Sequence, residues 1–384
     1  MIPYARQTIS EVDIESVVQV LRSDFLTQGP QVPAFEAAVA RYVGAPHALA
    51  VNSATSALHL ACLALDLGPG DWLWTSPISF VASANCGLYC GSQVDFVDID
   101  PKTYTMSTKA LADKLARAKQ EGRLPKVVIP VHFAGQSCDM DAIASLAHEF
   151  GFKVIEDASH AIGSRWKSNH VGACMQSDVT VFSFHPVKII TTAEGGLLTT
   201  RDAAIAQRLA DLRSHGITRA AARLEHTDHG AWYYEQKSLG YNYRMTELQA
   251  ALGVSQVTKL DHFISRRHEI VARYDLGLQG MPVQRPWQHP DSHSAFHLYV
   301  IQVAKEARMT RRQLFDSLRS AGILVNVHYI PIHLQPFYQR MGFQAGDLPV
   351  AEAYYDRAIS LPLYAGLSES DQDFVIQKIK KFVE

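Results

Sequence analysis

The sequence predicts an α/β protein: a large domain built on a mostly parallel seven-stranded sheet, followed by a smaller C-terminal α+β domain. Three observations carry this expectation. Between residues 47 and 200, short apolar runs alternate with helical patterns, the rhythm of parallel strands joined by crossover helices. The length of 384 residues suits one large domain plus a smaller one. After Arg201 the rhythm gives way to helix, loop and a second set of elements, so the division is expected at 1–254 and 255–384.

In chain order, Ser10 and Asp13 open a helix whose Ile14, Val17, Val18 and Leu21 share one face. A second helix from Pro33 carries Phe35, Val39, Tyr42 and Val43 inward and stops at Gly44, a left-handed cap. The strands follow over 47–51, 71–75, 93–97, 126–131, 152–156, 178–184 and 195–200, with helices over 53–65, 80–89, 108–119 and 141–150 between the first of them. A polar stretch over 219–243 reads as a long functional loop. Thr246-Glu-Leu-Gln249 is a capping box that opens a long helix. Beyond it the pattern gives a loop over 284–293, a strand over 297–303 and helices over 310–321 and 371–383.

Composition narrows the function. A hydrophobic content of 47% with 19% charged residues describes an ordinary globular chain, and a net charge of −2 offers no bulk attraction for nucleic acid or an anionic membrane. The five cysteines, Cys62, Cys86, Cys90, Cys138 and Cys174, are scattered without a Cys-x-x-Cys pair, so neither a disulfide framework nor a metal site is expected and a reducing cytoplasm fits. Neither a signal pattern nor an apolar run long enough to span a bilayer is present, so no membrane partner is expected.

In open α/β sheets, ligands bind beyond the carboxyl ends of the strands. The first strand runs into Asn52-Ser-Ala-Thr-Ser-Ala57, a helix start whose free amides and hydroxyls suit a phosphate. The strand over 152–156 delivers Asp157, able to keep a ring nitrogen protonated, and the strand over 178–184 delivers Ser183 and His185. Lys188 follows, set between Val187 and Ile189-Ile190, where desolvation would lower its pKa and make the amine a nucleophile and proton carrier. Each feature alone is equally an ordinary cap, a structural carboxylate, a locally bonded hydroxyl or a snorkelling lysine. Together they match what pyridoxal phosphate needs: an amine for the Schiff base, a carboxylate for the pyridinium and a helix end for the phosphate.

The motifs Asn52-Ser-Ala-Thr-Ser-Ala-Leu58, Pro77-Ile-Ser-Phe-Val-Ala-Ser-Ala-Asn85, Glu156-Asp-Ala-Ser-His-Ala-Ile-Gly163, Ser183-Phe-His-Pro-Val-Lys188, Thr192-Ala-Glu-Gly-Gly196 and Gly240-Tyr-Asn-Tyr-Arg-Met245 resemble the DegT/DnrJ/StrS family of sugar-nucleotide aminotransferases across essentially the whole chain. The resemblance implies a fold-type-I homodimer with shared active sites, using pyridoxal 5'-phosphate and passing through pyridoxamine phosphate. It implies Lys188 as the Schiff-base lysine, Asp157 as the pyridinium partner, and Ala54, Thr55, Ser56 and Ser183 as phosphate ligands. Phe80 would stack on the ring, His160 would sit near its phenolic oxygen where many relatives carry Gln, and Asn242 would reach the neighbouring subunit's cofactor. His185, Tyr4, the run Asp24, Phe25, Leu26 and Thr27, and the run Asn326, Val327, His328 and Tyr329 resemble substrate-facing positions.

Phe25-Leu-Thr-Gln-Gly29 and Val327-His-Tyr-Ile-Pro-Ile332 carry a closer likeness to the pseudaminic-acid branch of that family. It implies transfer of an amino group from L-glutamate to the C4 keto group of a UDP-linked 4-keto-6-deoxy-N-acetylhexosamine. Other UDP- or dTDP-linked 4-keto sugars are the alternative. A pyridoxal-phosphate sugar dehydratase stands lower, because such relatives place His at the position of Lys188, as does a non-catalytic cofactor-binding regulator. A nicotinamide oxidoreductase is disfavoured because no Gly-x-Gly-x-x-Gly follows any strand.

Overall fold

A computed structural model describes residues 1–226 and 229–383; within the polar loop, Thr227 and Asp228 lie outside the described residues, as does Glu384. The central sheet contains β1 (His47–Val51), β2 (Trp72–Thr75), β3 (Gln93–Phe96), β4 (Val127–Ile129), β5 (Lys153–Asp157), β6 (Val179–Ser183) and β7 (Gly196–Thr200). These are the seven expected strands, each found within two residues of its predicted limits. Their spatial order is β1-β7-β6-β5-β4-β2-β3, and only β7 runs against its neighbours. Six strands therefore deliver their carboxyl ends to the same edge.

The helices are α1 (Glu11–Leu21), α2 (Gln31–Val43), α3 (Ala54–Ala64), α4 (Ala82–Tyr89), α5 (Thr108–Glu121), α6 (Met140–Phe150) and α7 (Ala203–Arg213). They cover both faces of the sheet, which is why strands such as β6 and β7 are buried along their whole length rather than alternating. Phe35, Val39 and Val43 of α2 are buried as expected, and Gly44 closes that helix in the left-handed region at φ 77°. The expected apolar face of α1 is turned the other way: Ile14 and Leu21 are 47% and 58% exposed while Asp13 is fully buried. The reason is polar. Asp13 accepts from the Ser10 amide at 2.8 Å, from Ser255 Oγ at 2.6 Å and from Lys259 Nζ at 2.6 Å, and this anchor sets the rotation of the helix.

The capping box at Thr246 is present, but the helix it opens, α8 (Glu247–Val257), ends early and a separate α9 (Leu260–Gly277) continues. Position 255 falls inside α8, which packs on α1 and α2. Buried Glu247 accepts from the amides of Gln31 and Val32 at 2.6 and 3.2 Å, satisfying two free donors at the start of α2. The long α9 joins two cores: Leu260, Phe263 and Ile264 pack under the central sheet, whereas Ile270, Val271 and Tyr274 enter the C-terminal core.

That second core lies on a three-stranded antiparallel sheet of β8 (Val283–Gln284), β9 (Tyr299–Val303) and β10 (Ala358–Leu361), with β9 in the middle. It is covered by α9, α10 (Arg311–Ser320) and α11 (Glu369–Val383). The amino end of the chain crosses to this sheet's side: Ile2–Pro3 pairs in parallel with Ile323–Leu324, and Ile2 joins the core. Among the described residues, no helix is long and apolar enough to cross a membrane.

One glycine ties the sheet to the site. A Cβ on Gly196, at the start of β7, would lie 2.4 Å from the Ser53 carbonyl oxygen and 2.6 Å from the Ala54 nitrogen, both backbone atoms at the mouth of α3. Gly196→Ala is expected to lower stability by about 1–3 kcal/mol, measured by denaturant midpoint, because that backbone has nowhere to go. Gly68→Ala, with no atom within 4 Å of its Cβ, is the control and should stay within about 0.5 kcal/mol of the parent.

Candidate active site

A cavity of about 680 Å³ opens at the carboxyl edge of the sheet, a size that suits a cofactor together with part of a substrate. Of the residues singled out from sequence, Ala54, Thr55, Phe80, Asp157, His160, Ser183, His185 and Lys188 line it from the large core, and Tyr4, Asn326, Val327, His328 and Tyr329 from the other side. Two strand ends and one helix start supply the chemistry. β5 stops at Asp157, β6 stops at Ser183, and β1 passes through Asn52 into α3, where Ser53 caps the helix by accepting from the Ser56 amide at 3.1 Å. The first-turn amides of Ala54 and Thr55 have no acceptor within the helix, as at any helix start, and both residues line the cavity.

Asp157 is 4% exposed. Its Oδ2 accepts from Ser83 Oγ at 2.6 Å and its Oδ1 from the Ser159 amide at 3.1 Å, so the carboxylate is held at both oxygens. Lys188 sits in a turn closed by its amide donating to the His185 carbonyl at 2.9 Å, with buried Ile189 and Ile190 behind it. The open side of this half-buried lysine faces the cavity. Desolvation pulls its pKa from 10.5 down to about 8, against the opposing pull of the Asp157 charge.

The wall opposite is aromatic and neutral. His328 Nδ1 lies 2.8 Å from Ser360 Oγ, and burial with the neighbouring Lys188 charge pushes the ring's pKa down to about 3. The Tyr4 and His328 rings lie 5.3 Å apart. Burial, and then the Asp157 charge, push the Tyr329 hydroxyl pKa upward. Phe80 stands at the mouth, 60% exposed.

Other expected residues lie elsewhere in the subunit. Ser56 is behind the cavity wall, its Oγ donating to Asn52 Oδ1 at 2.7 Å. Asp24, Phe25, Leu26, Thr27 and Asn242 are exposed on the surface outside the cavity. No arginine lines the cavity among the described residues: Arg223 pairs with Asp211, and Arg244 donates to Ser214 Oγ at 2.9 Å. The structure also adds residues that the sequence reading passed over. Ser79 and Ser83 stand one helical turn apart with their hydroxyls 2.6 Å from each other, and His297 enters the lining from far along the chain. The spacing of the two serines within Pro77-Ile-Ser-Phe-Val-Ala-Ser83 could have revealed that pair; nothing local marks His297.

The residues present fit a phosphorylated pyridine aldehyde: an amine within the field of a carboxylate, a hydroxyl at a strand end and the residues of a helix start all border one cavity. Residues 7–380 match the sequence profile of the DegT/DnrJ/EryC1/StrS aminotransferase family. The chain belongs to this family. The enzymes of the family depend on pyridoxal phosphate. The chain is 41% identical to the spore coat polysaccharide biosynthesis protein SpsC of Bacillus subtilis, covering 100% of this chain and 97% of that one. It is 36% identical to a UDP-4-amino-4,6-dideoxy-N-acetyl-beta-L-altrosamine transaminase of Campylobacter jejuni, covering 99% of both. Among solved structures, Helicobacter pylori PseC, an aminotransferase involved in the biosynthesis of pseudaminic acid, superposes with a TM-score of 0.90 at 32% identity, covering 100% of this chain and 99% of that one. The fold expected from the sequence, a fold-type-I aminotransferase, is the fold observed.

The Lys188 shift has a consequence for stability. The folded state holds this lysine's proton less tightly than the unfolded chain does, so its burial costs stability below pH 8, and the cost disappears as pH rises from about 8 to 10.5. Lys188→Met is expected to stabilise the cofactor-free protein at pH 7 by about 2–3 kcal/mol. The gain should shrink steadily through that window when followed by chemical denaturation; a gain independent of pH would refute the assignment.

Proposed function

We propose that this protein transfers an amino group from L-glutamate to the C4 keto group of a UDP-linked 4-keto-6-deoxy-N-acetylhexosamine, with pyridoxal phosphate as cofactor. The observation that carries the reading is the amine of Lys188, desolvated at the wall of the cavity within the field of Asp157. In this reading the Ala54 and Thr55 amides, with the Ser183 hydroxyl, would hold the phosphate at the positive end of α3, while Ser56, its hydroxyl and amide bonded to Asn52 and Ser53, steadies that helix start. Asp157, itself fixed by Ser83 and Ser159, keeps the ring nitrogen protonated. Phe80 covers one face of the ring, and His160 stands beside it. Bound pyridoxal phosphate supplies the sink for the electron pair left on the amino-bearing carbon when its proton is removed.

Lys188 does two jobs. Its Nζ would hold the cofactor's aldehyde carbon, and as a free amine it would take up and return the proton at the amino-bearing carbon. With a pKa of about 8, about a tenth of it is neutral at pH 7, against fewer than about one in a thousand for an ordinary lysine. His185, Tyr4, Asn326, Val327, His328 and Tyr329 face the sugar, and the low pKa of His328 keeps that wall uncharged beside a working amine.

The shared site of a homodimer completes the reading. Ile14 and Leu21 on one side of α1, and Phe25 and Leu26 just beyond its end, are exposed apolar side chains, in keeping with a covered face. Asn242 and the run from Asp24 to Thr27 are exposed and lie outside this chain's own cavity, so we assign them to the partner subunit's site. The five unpaired thiols suit a reducing cytoplasm, where nucleotide sugars are made. A different nucleotide-linked 4-keto sugar is the second reading, favoured by the higher identity to SpsC, 41% against 36%.

Glutamate with a panel of UDP- and dTDP-linked 4-keto sugars, followed by NMR of the product, decides between the two: a C4 amine on the UDP-N-acetyl sugar is expected, and reaction of dTDP sugars alone would shift the reading to the second. Lys188→Ala is expected to reduce kcat by at least about 10⁴-fold. Mixing Lys188→Ala with Asn242→Ala subunits should restore about a quarter of the intact sites if dimers exchange statistically, and no restoration in exchanged dimers would rule out the shared site.

A further inference from the structure

His160 is held by two hydrogen bonds of opposite sense. Its Nδ1 accepts from the backbone amide of Ala134 at 3.3 Å, and its Nε2 lies 3.1 Å from the Tyr329 hydroxyl oxygen. An amide can only donate, so Nδ1 must keep its lone pair, and a neutral imidazole then carries its single proton on Nε2. The second bond can run only from His160 to Tyr329. The hydroxyl proton of Tyr329 is thereby turned away from His160, on a ring that forms part of the cavity wall.

We infer that Ala134, His160 and Tyr329 form a one-way hydrogen-bond chain that makes Tyr329 a dedicated donor toward an oxygen acceptor in the cavity, the kind of atom a keto sugar presents. His160 is its positioning residue, acting on the reaction through Tyr329 as well as standing beside the ring. The inference rests on reading the cavity as the site of amino transfer.

The backbone is shaped to send the chain in one direction. Ala134 occupies the left-handed region at φ 59° and ψ 7°, unusual for a residue with a Cβ. Its carbonyl accepts from the Leu298 amide at 3.3 Å, so both of its peptide groups are engaged. Gly135 follows at φ 99°, its carbonyl accepting from Ser164 Oγ at 2.6 Å, and a Cβ there would lie 2.8 Å from the Phe296 nitrogen. Behind His160, the His297 ring centroid is 4.4 Å away, and its buried Nδ1 has no hydrogen-bond partner among the described residues. Arg267 Nη1 holds that segment by donating to the carbonyls of Phe296 and His297 at 3.1 and 3.3 Å. A second proton on His160 would meet the Ala134 amide head-on, with Lys188, His297 and His328 close by. Burial and the Lys188 and His328 charges push its pKa well below the ordinary value, in the same direction as the geometry.

The tautomer is read without turnover, by NMR of protein carrying ¹⁵N-histidine, with His160 assigned by loss of its signals in H160Q. The Nε2–H form is expected at neutral pH, both with and without pyridoxal phosphate; an Nδ1–H ring or an imidazolium overturns the inference. Polarity is tested with two side chains of one shape. His160→Gln can accept from Ala134 and donate to Tyr329, whereas ionised His160→Glu can only accept, so His160→Glu should have a kcat about a hundredfold below that of His160→Gln. Equal losses overturn the chain. Should His160→Glu fail to fold, Tyr329→Phe decides: a kcat at least about tenfold lower with the His160 tautomer unchanged is expected, and an undiminished kcat overturns the inference. A wild-type protein inactive on every keto sugar would remove the proposed function alone, since the tautomer stands on NMR.

Discussion

The site depends on keeping the amine of Lys188 out of water. A protonated lysine in that position is costly, and the protein lowers the cost with one carboxylate rather than with solvent. Everything around the pair follows from this compromise. Asp157 must stay fixed beside the amine, so both of its oxygens are occupied, by Ser83 and by the Ser159 amide. The cavity must carry no further positive charge, so the three buried histidines that line it, His160 on the large-core side and His297 and His328 opposite, are all held in their neutral forms. A parallel sheet suits these demands because adjacent strands end side by side, placing a carboxylate and a hydroxyl from β5 and β6 at neighbouring positions.

The cavity is a joint product of both halves of the chain. The central sheet contributes the floor, and the second half contributes Asn326 to Tyr329 and His297 as the facing wall. The contacts that hold the wall in place are hydrogen bonds from backbone amides at several separate points: the Ile332 amide to the Pro77 carbonyl at 2.9 Å, the Leu298 amide to the Ala134 carbonyl at 3.3 Å and the Ala295 amide to Ser164 Oγ at 3.0 Å. The α9 helix, with one end in each core, adds a rigid connection. A substrate entering the cavity meets a surface whose two sides are mutually registered.

Much of this was legible in the sequence, for identifiable reasons. Buried parallel strands write themselves as short apolar runs bounded by turn residues, so the strands and the residues at their ends, Asp157, Ser183 and Lys188, could be read directly. Periodicity was less informative about α1, because it groups Ile14 with Leu21 without saying what covers them, and a single buried carboxylate at Asp13 outweighed the apolar pattern. The division of the helix after Val257 was hidden because apolar residues continue across it. His297 was illegible for a different reason: it reaches the site only because residues 292–298 dock on the loop at Ala134 and Gly135, a contact across more than a hundred and fifty positions that no local pattern encodes. The orientation of His160 belongs to the same class, since it is set by a backbone amide and not by a side chain.

The crossing of the amino end deserves a practical reading. Ile2 and Pro3 are stitched to Ile323 and Leu324, the Tyr4 carbonyl accepts from the Leu363 amide at 3.0 Å, and the Tyr4 ring then stands in the cavity against His328. The first few residues are therefore structural parts of the reaction chamber, positioned like a latch across the seam between the two cores. Biochemists who fuse an affinity handle directly to Met1, or trim the first residues to aid crystallisation, would be altering the pocket itself.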